Sequence, residues 1–260
     1  MPKARNFTSI IQQLQNFYGQ PEPPKINDPL GMILFENVAY LTSDERREHA
    51  FEALREKVGL TPPEILTAHE ETLLEVARLG GMLPAARVEK LRRIAQIALQ
   101  EFDGDLDRIL KQPLTQAKKS LKKFPGIGDP GAEKILLFSK THPILALDSN
   151  GLRVLRRLGF GEEQKSYAAT YRSAQESAQE DLKKELKKDF DWLIGAHQLL
   201  RLHGQQLCKT TTPLCASCPL KESCRYYQEM TSRRRSARTA ERVWLRRCAA
   251  PIPSPSAPTV

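Results

Sequence analysis

Apolar residues recur every three or four positions along most of the chain, which is the spacing of one face of an α-helix. This pattern predicts amphipathic helices at FTSIIQQLQNFYG, DERREHAFEALREKVG, EETLLEVARLG, AARVEKLRRIAQIALQEF and DWLIGAHQLLRLHG. Clusters of proline and glycine separate the helical stretches, as in PEPPKINDP, GLTPPE, GGMLP and FPGIG. Only HPILALD resembles a strand, and it is too short to form a sheet. The pattern therefore predicts an all-α fold.

The chain has 260 residues, enough for one large domain or two lobes with buried cores. It carries 40 Lys and Arg against 31 Asp and Glu, a formal net charge of +9. This excess favours an anionic partner such as nucleic acid, although excess surface lysine on a soluble protein gives the same balance. No apolar run approaches the ~20 residues that a membrane-spanning helix needs, and the first residues lack the features of a signal peptide. We therefore expect a cytoplasmic protein, nucleoid-associated in a bacterium, that does not enter a membrane.

The composition of the chain changes from residue 229 onward. Residues 229–260 contain seven Arg and two Glu, and they end in a stretch rich in Pro and Ser. Such a composition cannot bury a core. We therefore predict that 229–260 form a basic, disordered tail.

Four of the five cysteines lie within seventeen residues, and six, two and five residues separate them in turn. Disulfides are rare in the cytosol, so this spacing indicates metal ligands. Structural zinc is usually held by two short pairs of ligands, whereas one close pair flanked by two single cysteines is compatible with an iron–sulfur cluster. The spacing by itself leaves both metals open. The predicted ligands are Cys208, Cys215, Cys218 and Cys224.

A glycine-framed turn, FPGIG at residues 124–128, separates two predicted helices. Its glycines let the backbone N–H groups at the start of the second helix approach a phosphate closely. Taken alone, the motif favours an ordinary Pro-Gly connector between helices. Four lysines within residues 118–123 shift the interpretation toward phosphate binding. The predicted contacts are Gly126, Ile127, Gly128, Lys122 and Lys123.

Asp148 precedes the predicted helix SNGLRVLRRLG. By itself this position is that of an N-cap, whose carboxylate accepts hydrogen bonds from the first N–H groups of the helix. A carboxylate at the same place is also available for chemistry, and its sequence context decides between the two.

Three parts of the chain together resemble the helix-hairpin-helix (HhH-GPD) DNA glycosylase superfamily: the FPGIG turn, the segment LALDSNGLRVLRRLG and the cysteine loop. The segment is similar to VDTHVxRxxxRLG in that superfamily. The cysteine spacing resembles that of the loop that ends endonuclease III and the adenine mismatch glycosylases. The resemblance extends over about residues 27–227 and implies a two-lobed, all-α DNA glycosylase fold with a structural [4Fe-4S] cluster in the cysteine loop.

The resemblance also implies how the chain is divided and what it binds. The expected regions are 1–228 for the glycosylase part, 27–147 for a continuous lobe, 114–140 for the hairpin within it, 1–26 plus 148–228 for the second lobe, and 208–224 for the cluster loop. The partner would be double-stranded DNA that carries a lesion or a mismatch. We expect the protein to be a monomer.

Asp148 falls on the catalytic aspartate of the superfamily. Cleavage of a base from deoxyribose builds positive charge on the sugar, and a nearby carboxylate stabilises that charge or orients a water molecule to trap it. In bifunctional members, a lysine two residues beyond the second hairpin glycine attacks the sugar and forms a Schiff base. Pro130 occupies that position here, and Lys134, one helical turn later, is expected to face solvent. The resemblance therefore implies a monofunctional glycosylase.

The stretch GMILFENVAYLTSDERREHAFEAL is similar to the first catalytic helix of the mismatch glycosylases. Glu36 falls where the adenine-removing enzymes carry an acid that protonates the departing base. A glutamate in an otherwise apolar helix would have a raised pKa, as a general acid requires. A surface glutamate paired with Lys or Arg fits the same position. Tyr40 begins the segment that replaces the family's QQT-like signature, and we expect it to contact DNA.

Enzymes that flip a base out of the duplex fill the resulting gap, commonly with an apolar side chain on a loop tip. The loop LGGMLPAAR supplies Met82 and Leu83 for this role, and Leu83 matches the endonuclease III wedge best. A buried loop anchor is the alternative for either residue.

These expectations lead to one functional hypothesis and two alternatives. The hypothesis is a base-excision repair glycosylase that hydrolyses the N-glycosidic bond of a damaged or mispaired base. One alternative is a DNA-binding protein that has the hairpin and the iron–sulfur cluster but little or no catalysis, because a fold does not guarantee activity. The other is a glycosylase and lyase that uses a displaced lysine such as Lys134.

Overall fold

The computed structural model describes residues 6–40, 42–183 and 189–233, and within these ranges it contains helices and no strands. The prediction of an all-α fold is therefore confirmed. The helices are α1 (Phe7–Tyr18), α2 (Pro29–Val38), α3 (Asp44–Lys57), α4 (Pro62–Thr67), α5 (Glu70–Leu79), α6 (Pro84–Phe102), α7 (Asp107–Leu110), α8 (Leu114–Leu121), α9 (Asp129–Phe138), α10 (Ser149–Leu158), α11 (Tyr167–Lys183) and α12 (Phe190–Gln206). Two short 3-10 helices follow at Cys215–Ser217 and Lys221–Ser223.

Local capping chemistry determines where the helices near the functional site begin. The Asp28 carboxylate accepts a hydrogen bond from the Gly31 N–H at 2.6 Å, and Pro29 takes the first position of α2, where no N–H is needed. The Ser43 hydroxyl accepts from the Arg46 N–H at 3.3 Å at the start of α3. Loss of one such cap costs about 1 kcal/mol. The caps therefore position the ends of helices that carry functional side chains.

The buried apolar side chains form two clusters. The first takes its members from Met32 to Leu136, and the second from Phe7 to Leu14 together with Leu137 to Leu220. Phe138 packs against both clusters. Burial of each large apolar side chain contributes roughly 1.5–3 kcal/mol. The second cluster therefore contains residues of α1 and residues from Leu137 onward, and the first cluster contains residues of the intervening part of the chain.

A buried carboxylate joins helices of the two clusters. Glu133 on α9 accepts hydrogen bonds from the Tyr171 hydroxyl at 2.5 Å and from Gln175 Nε2 at 2.6 Å, both on α11. Lys118 on α8 forms an ion pair with Glu133 at 2.5 Å. Tyr171 also accepts from the N–H of Leu147 at 3.3 Å. A buried carboxylate with three partners is compensated, so this contact holds the hairpin helices against the segment before α10.

The described part of the predicted tail is short. Residues 225–233 are helical, and Arg225 forms an ion pair with Glu229 at 2.9 Å, so the helix extends into the first residues of that segment. The rest of the predicted tail lies outside the described residues. No helix in the described part of the chain is long and apolar enough to cross a membrane.

Candidate functional site

Asp148 is the N-cap of α10, as its position predicted. Its Oδ1 accepts from the Gly151 N–H at 2.7 Å, and its Oδ2 accepts from Asn150 Nδ2 at 3.0 Å. Oδ2 also lies 3.4 Å from Nε of Arg201, and about a quarter of the Asp148 side chain is exposed. Oδ1 therefore caps the helix, while Oδ2 is held by Asn150 and Arg201 in a side chain that is partly exposed.

Arg201 on α12 connects Asp148 to α3. Its Nη2 lies 2.5 Å from Oδ1 of Asp44, the first residue of α3, and Gln205 Nε2 donates to the other Asp44 oxygen at 3.1 Å. Burial would raise the pKa of Asp44, but Arg201 and Gln205 hold that pKa below its ordinary value. Neither Asp44 nor Arg201 belongs to a sequence motif that marks it as a site residue.

Glu36 lies in the last turn of α2 and forms an ion pair with Lys134 of α9. Burial would raise the pKa of Glu36, but Lys134, with smaller effects of Arg47 and Arg201, lowers the pKa below its ordinary value. The expectation of a raised pKa is therefore wrong. Together, Lys134, Arg47 and Arg201 stabilise the carboxylate more strongly than burial destabilises it, so Glu36 is ionised at neutral pH.

Lys134 is not the solvent-facing lysine that the sequence suggested, since only 20% of its side chain is exposed. It lies one helical turn after Pro130, so both residues are on the same face of α9. The charge of Glu36 acts on Arg201, which in turn lies beside Asp148. Arg201 therefore links the ion pair of Glu36 and Lys134 electrostatically to Asp148, and we call the region that these four residues share the polar cleft.

The hairpin turn is anchored by Asn37, which the sequence analysis missed. Asn37 is buried on α2 beside Glu36, and its Nδ2 donates to the Pro125 carbonyl at 2.8 Å and to the Ile33 carbonyl at 2.9 Å. Gly126 has φ 73°, and a Cβ there would lie 2.8 Å from Asn37 Oδ1. Glycine is therefore required at this position by both the backbone conformation and the close approach of Asn37.

The two glycines of the turn present free backbone donors. The N–H groups of Gly126 and Gly128 have no hydrogen-bond partner among the described residues, whereas the Ile127 N–H donates to the Phe124 carbonyl at 3.2 Å. Ile127 itself is buried. The free donors lie at the start of α9, where the helix dipole also favours an anion.

Lys122 and Lys123 are half-exposed beside the turn, and each has an acidic partner. Lys122 Nζ lies 3.1 Å from Asp129, and Lys123 Nζ lies 2.5 Å from Glu101. Exposed pairs of this kind contribute little to stability, about 0.2–1 kcal/mol. Either lysine can therefore exchange its partner for a phosphate at small cost.

Met82 and Leu83 are exposed on the loop between α5 and α6, with 73% and 75% of their surface accessible, so neither is a buried anchor. Leu83 has φ 59°, a strained conformation for a branched residue. Beneath the loop, the buried Arg87 donates to the carbonyls of Ala77 at 2.7 Å and Met82 at 3.0 Å. Arg87, which the sequence did not single out, therefore supports an exposed apolar tip.

Tyr40 lies next to this loop and is also exposed, at 66% of its surface. Its N–H donates to the Gly80 carbonyl at 3.2 Å. A Cβ on Gly80 would lie 2.0 Å from the Val38 carbonyl, so only glycine permits this approach of the loop to the end of α2. The end of α2 and the residues just after it therefore link three features: Glu36 contacts Lys134, Asn37 contacts the hairpin turn, and Tyr40 contacts the apolar loop.

The four predicted cysteine ligands are each partly buried, and all four line one apolar cavity. Val154 and Leu158 of α10 and Leu220 also line it. Among the described residues, no three His, Cys, Asp or Glu side chains form a group that could hold a metal ion. The structure thus gathers the thiols around a common space without showing direct coordination geometry.

Two side chains around the cysteine loop contact its sulfur atoms, and the arginine is the donor in its contact. Arg157 Nη1 lies 3.3 Å from Cys208 Sγ, and the buried His203 has its Nε2 3.5 Å from Cys218 Sγ. Burial, together with the neighbouring cysteines, raises the pKa of Cys218 to about 11. Thiols in such a place keep their protons until a metal displaces them. The donor set and the apolar cavity fit a thiolate-bound metal group.

Comparison with known proteins is consistent with this arrangement. Residues 41–180 match the family described as HhH-GPD superfamily base excision DNA repair protein. Endonuclease III of Sulfolobus acidocaldarius is 28% identical over 199 residues, which cover 76% of this chain and 80% of that protein. Endonuclease III of Rickettsia felis is 35% identical over 167 residues, which cover 64% of this chain and 69% of that protein.

Solved structures share the fold. A trapped covalent intermediate of endonuclease III with DNA, an estranged-adenine complex, aligns with a TM-score of 0.66 at 21% identity over 87% of this chain and 99% of that one. A thermostable thymine-DNA glycosylase aligns with a TM-score of 0.66 at 16% identity over 86% of this chain and 97% of that one. At these identities the similarity shows a common architecture.

Proposed function

This chain belongs to the HhH-GPD superfamily of base excision DNA repair proteins, and from this we propose that it is a DNA glycosylase that hydrolyses the N-glycosidic bond of a damaged or mispaired base. The observation that carries the proposal is the Asp148 carboxylate. One of its oxygens caps α10, and the other lies 3.4 Å from Arg201, which also senses the charge of Glu36. A fixed carboxylate of this kind suits a reaction that develops positive charge.

The chemistry follows from that carboxylate. As the bond from the sugar to the base breaks, positive charge grows on the sugar, and a preorganised anion stabilises the transition state more than the ground state. The same carboxylate can orient a water molecule toward the sugar carbon. Asp148 has little freedom to turn away, because the Gly151 N–H and Asn150 Nδ2 hold both of its oxygens.

Glu36 has a different role in this proposal from the one that the sequence suggested. Its lowered pKa leaves it without a proton to give at neutral pH in the free protein. The pair of Glu36 and Lys134 instead offers the flipped base one hydrogen-bond acceptor and one donor. Such a pair suits a base that presents a hydrogen-bond donor to Glu36 and an acceptor to Lys134.

The hairpin, the apolar loop and Tyr40 would bind the DNA around the flipped nucleotide. The free N–H groups of Gly126 and Gly128 suit a phosphate, and Lys122 and Lys123 can add charge. The exposed Met82 and Leu83 suit insertion into the gap in the base stack. Structures similar in fold include endonuclease III bound to DNA, which supports DNA as the partner.

We propose hydrolysis without strand cleavage. Pro130 has no nucleophile at the position where the bifunctional relatives carry a lysine. The alternative of a lyase is favoured by one observation, that Lys134 lies on the same helix face as Pro130 and reaches the cleft. Its contact with Glu36 supports the hydrolytic proposal, because an ion-paired ammonium is a poor nucleophile.

The remaining features are proposals of the same kind. The two hydrophobic clusters support a division into two lobes, for which we propose 27–147 and 1–26 plus 148–228, although Leu137 and Leu145–Leu147 pack in the second cluster. The four thiols around one cavity, together with the similarity to endonuclease III, support a structural [4Fe-4S] cluster held by the loop 208–224. When bound, the cluster would fix the fold of this loop, and the residues that would hold it are Cys208, Cys215, Cys218 and Cys224.

The test is a panel of duplexes, each with one lesion or mismatch, incubated with wild-type protein and with Asp148→Asn. Wild type should leave abasic sites that break only after alkali. Asp148→Asn should react on the order of 10²–10⁴ times more slowly and bind DNA equally well, because asparagine caps α10 as effectively. Full activity of Asp148→Asn would overturn the catalytic assignment. Binding without base release from any duplex would favour a non-catalytic DNA-binding protein.

A further inference from the structure

One arginine contacts two carboxylates that come from different parts of the chain. Arg201 of α12 makes its closer contact with Asp44, at 2.5 Å, and its longer contact with Asp148, at 3.4 Å. Asp44 belongs to α3, which packs in the first cluster, and Asp148 precedes α10, which packs in the second. The arginine therefore connects the two clusters, and the closer contact draws its guanidinium toward Asp44.

The charges of the three groups determine how strongly Arg201 would pair with Asp148. Asp44, Arg201 and Asp148 together carry one net negative charge. Without Asp44, Asp148 would be the remaining carboxylate in contact with the guanidinium, with Glu36 acting on it at longer range, and the pair of Arg201 and Asp148 would be neutral. A bidentate contact between Arg and Asp is strong and uses both oxygens of the acid. An arginine so placed would reduce the negative potential that the carboxylate can offer to a developing cation.

We propose that Asp44 is a positioning residue that acts through Arg201 and keeps the guanidinium from pairing fully with Asp148. The proposal rests on the proposed glycosylase function, because it assigns Asp148 to the reacting sugar. Gln205 fixes the second oxygen of Asp44, so the acid presents Oδ1 to Arg201 in one orientation. The lowered pKa of Asp44 keeps its carboxylate charged at neutral pH.

The first test is structural and does not depend on activity. In a crystal structure of Asp44→Asn, a neutral residue of equal size, Arg201 should move to Asp148 and form contacts of about 2.7–2.9 Å with it. In Asp44→Glu, which keeps the charge, Arg201 should stay on the α3 side. An Arg201 that remains at its present distance from Asp148 in Asp44→Asn would overturn the proposal, whether or not the protein releases a base.

The second test is kinetic and uses single-turnover base release from whichever duplex of the panel the wild type processes. Asp44→Asn should lower the rate constant about tenfold, with unchanged affinity for the duplex. Adding Arg201→Gln to Asp44→Asn should restore most of that loss, because no cation then competes for Asp148. Asp44→Glu should retain most of the wild-type rate.

A matched control distinguishes this mechanism from a general effect of charge or of helix stability. Glu48 lies on the same helix and pairs only loosely, at 3.7 Å, with Lys25, so Glu48→Gln removes one negative charge from α3 without touching Arg201. Glu48→Gln should keep the wild-type rate.

A double variant, Asp44→Asn with Arg201→Gln, that is slower than Asp44→Asn would show that Arg201 merely bridges the helices and would overturn the proposal. Absence of base release by wild type itself would refute the proposed function, and the crystal structures would still decide the role of Asp44.

Discussion

Lys134 of α9 donates a hydrogen bond to the carboxylate of Glu36 on α2, although 98 residues separate them in the chain. From the sequence alone, Glu36 has either a raised pKa or a Lys or Arg partner, and Lys134 is expected to face solvent. The contact agrees with the pairing of Glu36, whose pKa it lowers, and it keeps most of Lys134 away from solvent.

This ion pair predicts how the stability of the protein depends on pH. The pKa of Glu36 is lower in the folded protein than its ordinary value of 4.5, so the carboxylate contributes stability above pH 4.5 that is lost as the pH falls through the folded pKa. The free energy of unfolding of wild type should therefore fall more steeply below pH 4.5 than that of Glu36→Gln. Urea denaturation at a series of pH values measures both slopes. The exposed Glu89→Gln is the control and should keep the wild-type slope; equal slopes for wild type and Glu36→Gln would contradict the prediction.

Borohydride trapping separates hydrolysis from lyase chemistry. Wild type should form no covalent adduct with DNA, because Pro130 offers no amine to the sugar. Pro130→Lys places an amine at the family position and should make trapping possible, which serves as the positive control. Efficient trapping by wild type that disappears in Lys134→Ala would show that the displaced lysine attacks.

The metal content of the purified protein tests the cysteine loop. We expect iron and sulfide with little zinc, and a broad absorbance near ~400 nm. Cys215→Ser should lose the iron, because one of the four thiols around the cavity is removed. Cys248→Ser changes a cysteine outside the loop and should keep the iron. Stoichiometric zinc without iron in wild type would disprove the cluster.

Two substitutions at Leu83 separate its strain from its contact with DNA. The residue has φ 59°, which glycine adopts freely and alanine does not. Leu83→Gly should therefore be more stable than Leu83→Ala by about 1 kcal/mol, measured by thermal denaturation. Both variants should release base more slowly than wild type, because both lack the inserted side chain. Wild-type base release by both would exclude Leu83 as the wedge.

The pairing of Lys122 predicts opposite effects of two substitutions on DNA affinity. Lys122→Ala should weaken binding and reduce the slope of affinity against salt concentration by about 1. Asp129→Asn should strengthen binding, because it releases Lys122 and removes a negative charge from the start of α9. Titrations at several salt concentrations measure both. The same affinity in both variants would exclude the hairpin as a phosphate site.

Much of the fold could be predicted from the sequence because helix caps and motifs depend on residues that are close together in the chain. Asp28 and Pro29 mark the start of α2, and Asp148 was recognised as the N-cap of α10, since a cap and its helix lie within four residues. The cysteine spacing indicated a shared metal group for the same reason. The resemblance to a glycosylase superfamily rested on three such local motifs, and the family match and the all-helical architecture agree with it.

The charge states and neighbours within the cleft depended on the tertiary structure. Arg201 is 157 residues from Asp44 in the chain and belongs to no motif, so its contact could not be anticipated. Asn37 under the hairpin and Arg87 under the apolar loop are likewise defined by carbonyls that the fold brings to them. Electrostatic interactions and hydrogen bonds depend on distance in space rather than on separation in sequence. The sequence by itself therefore determined which helices form and which motifs they carry, and only their packing decided that Glu36 is ionised, that Lys134 is held in the cleft and that Arg201 lies between Asp44 and Asp148.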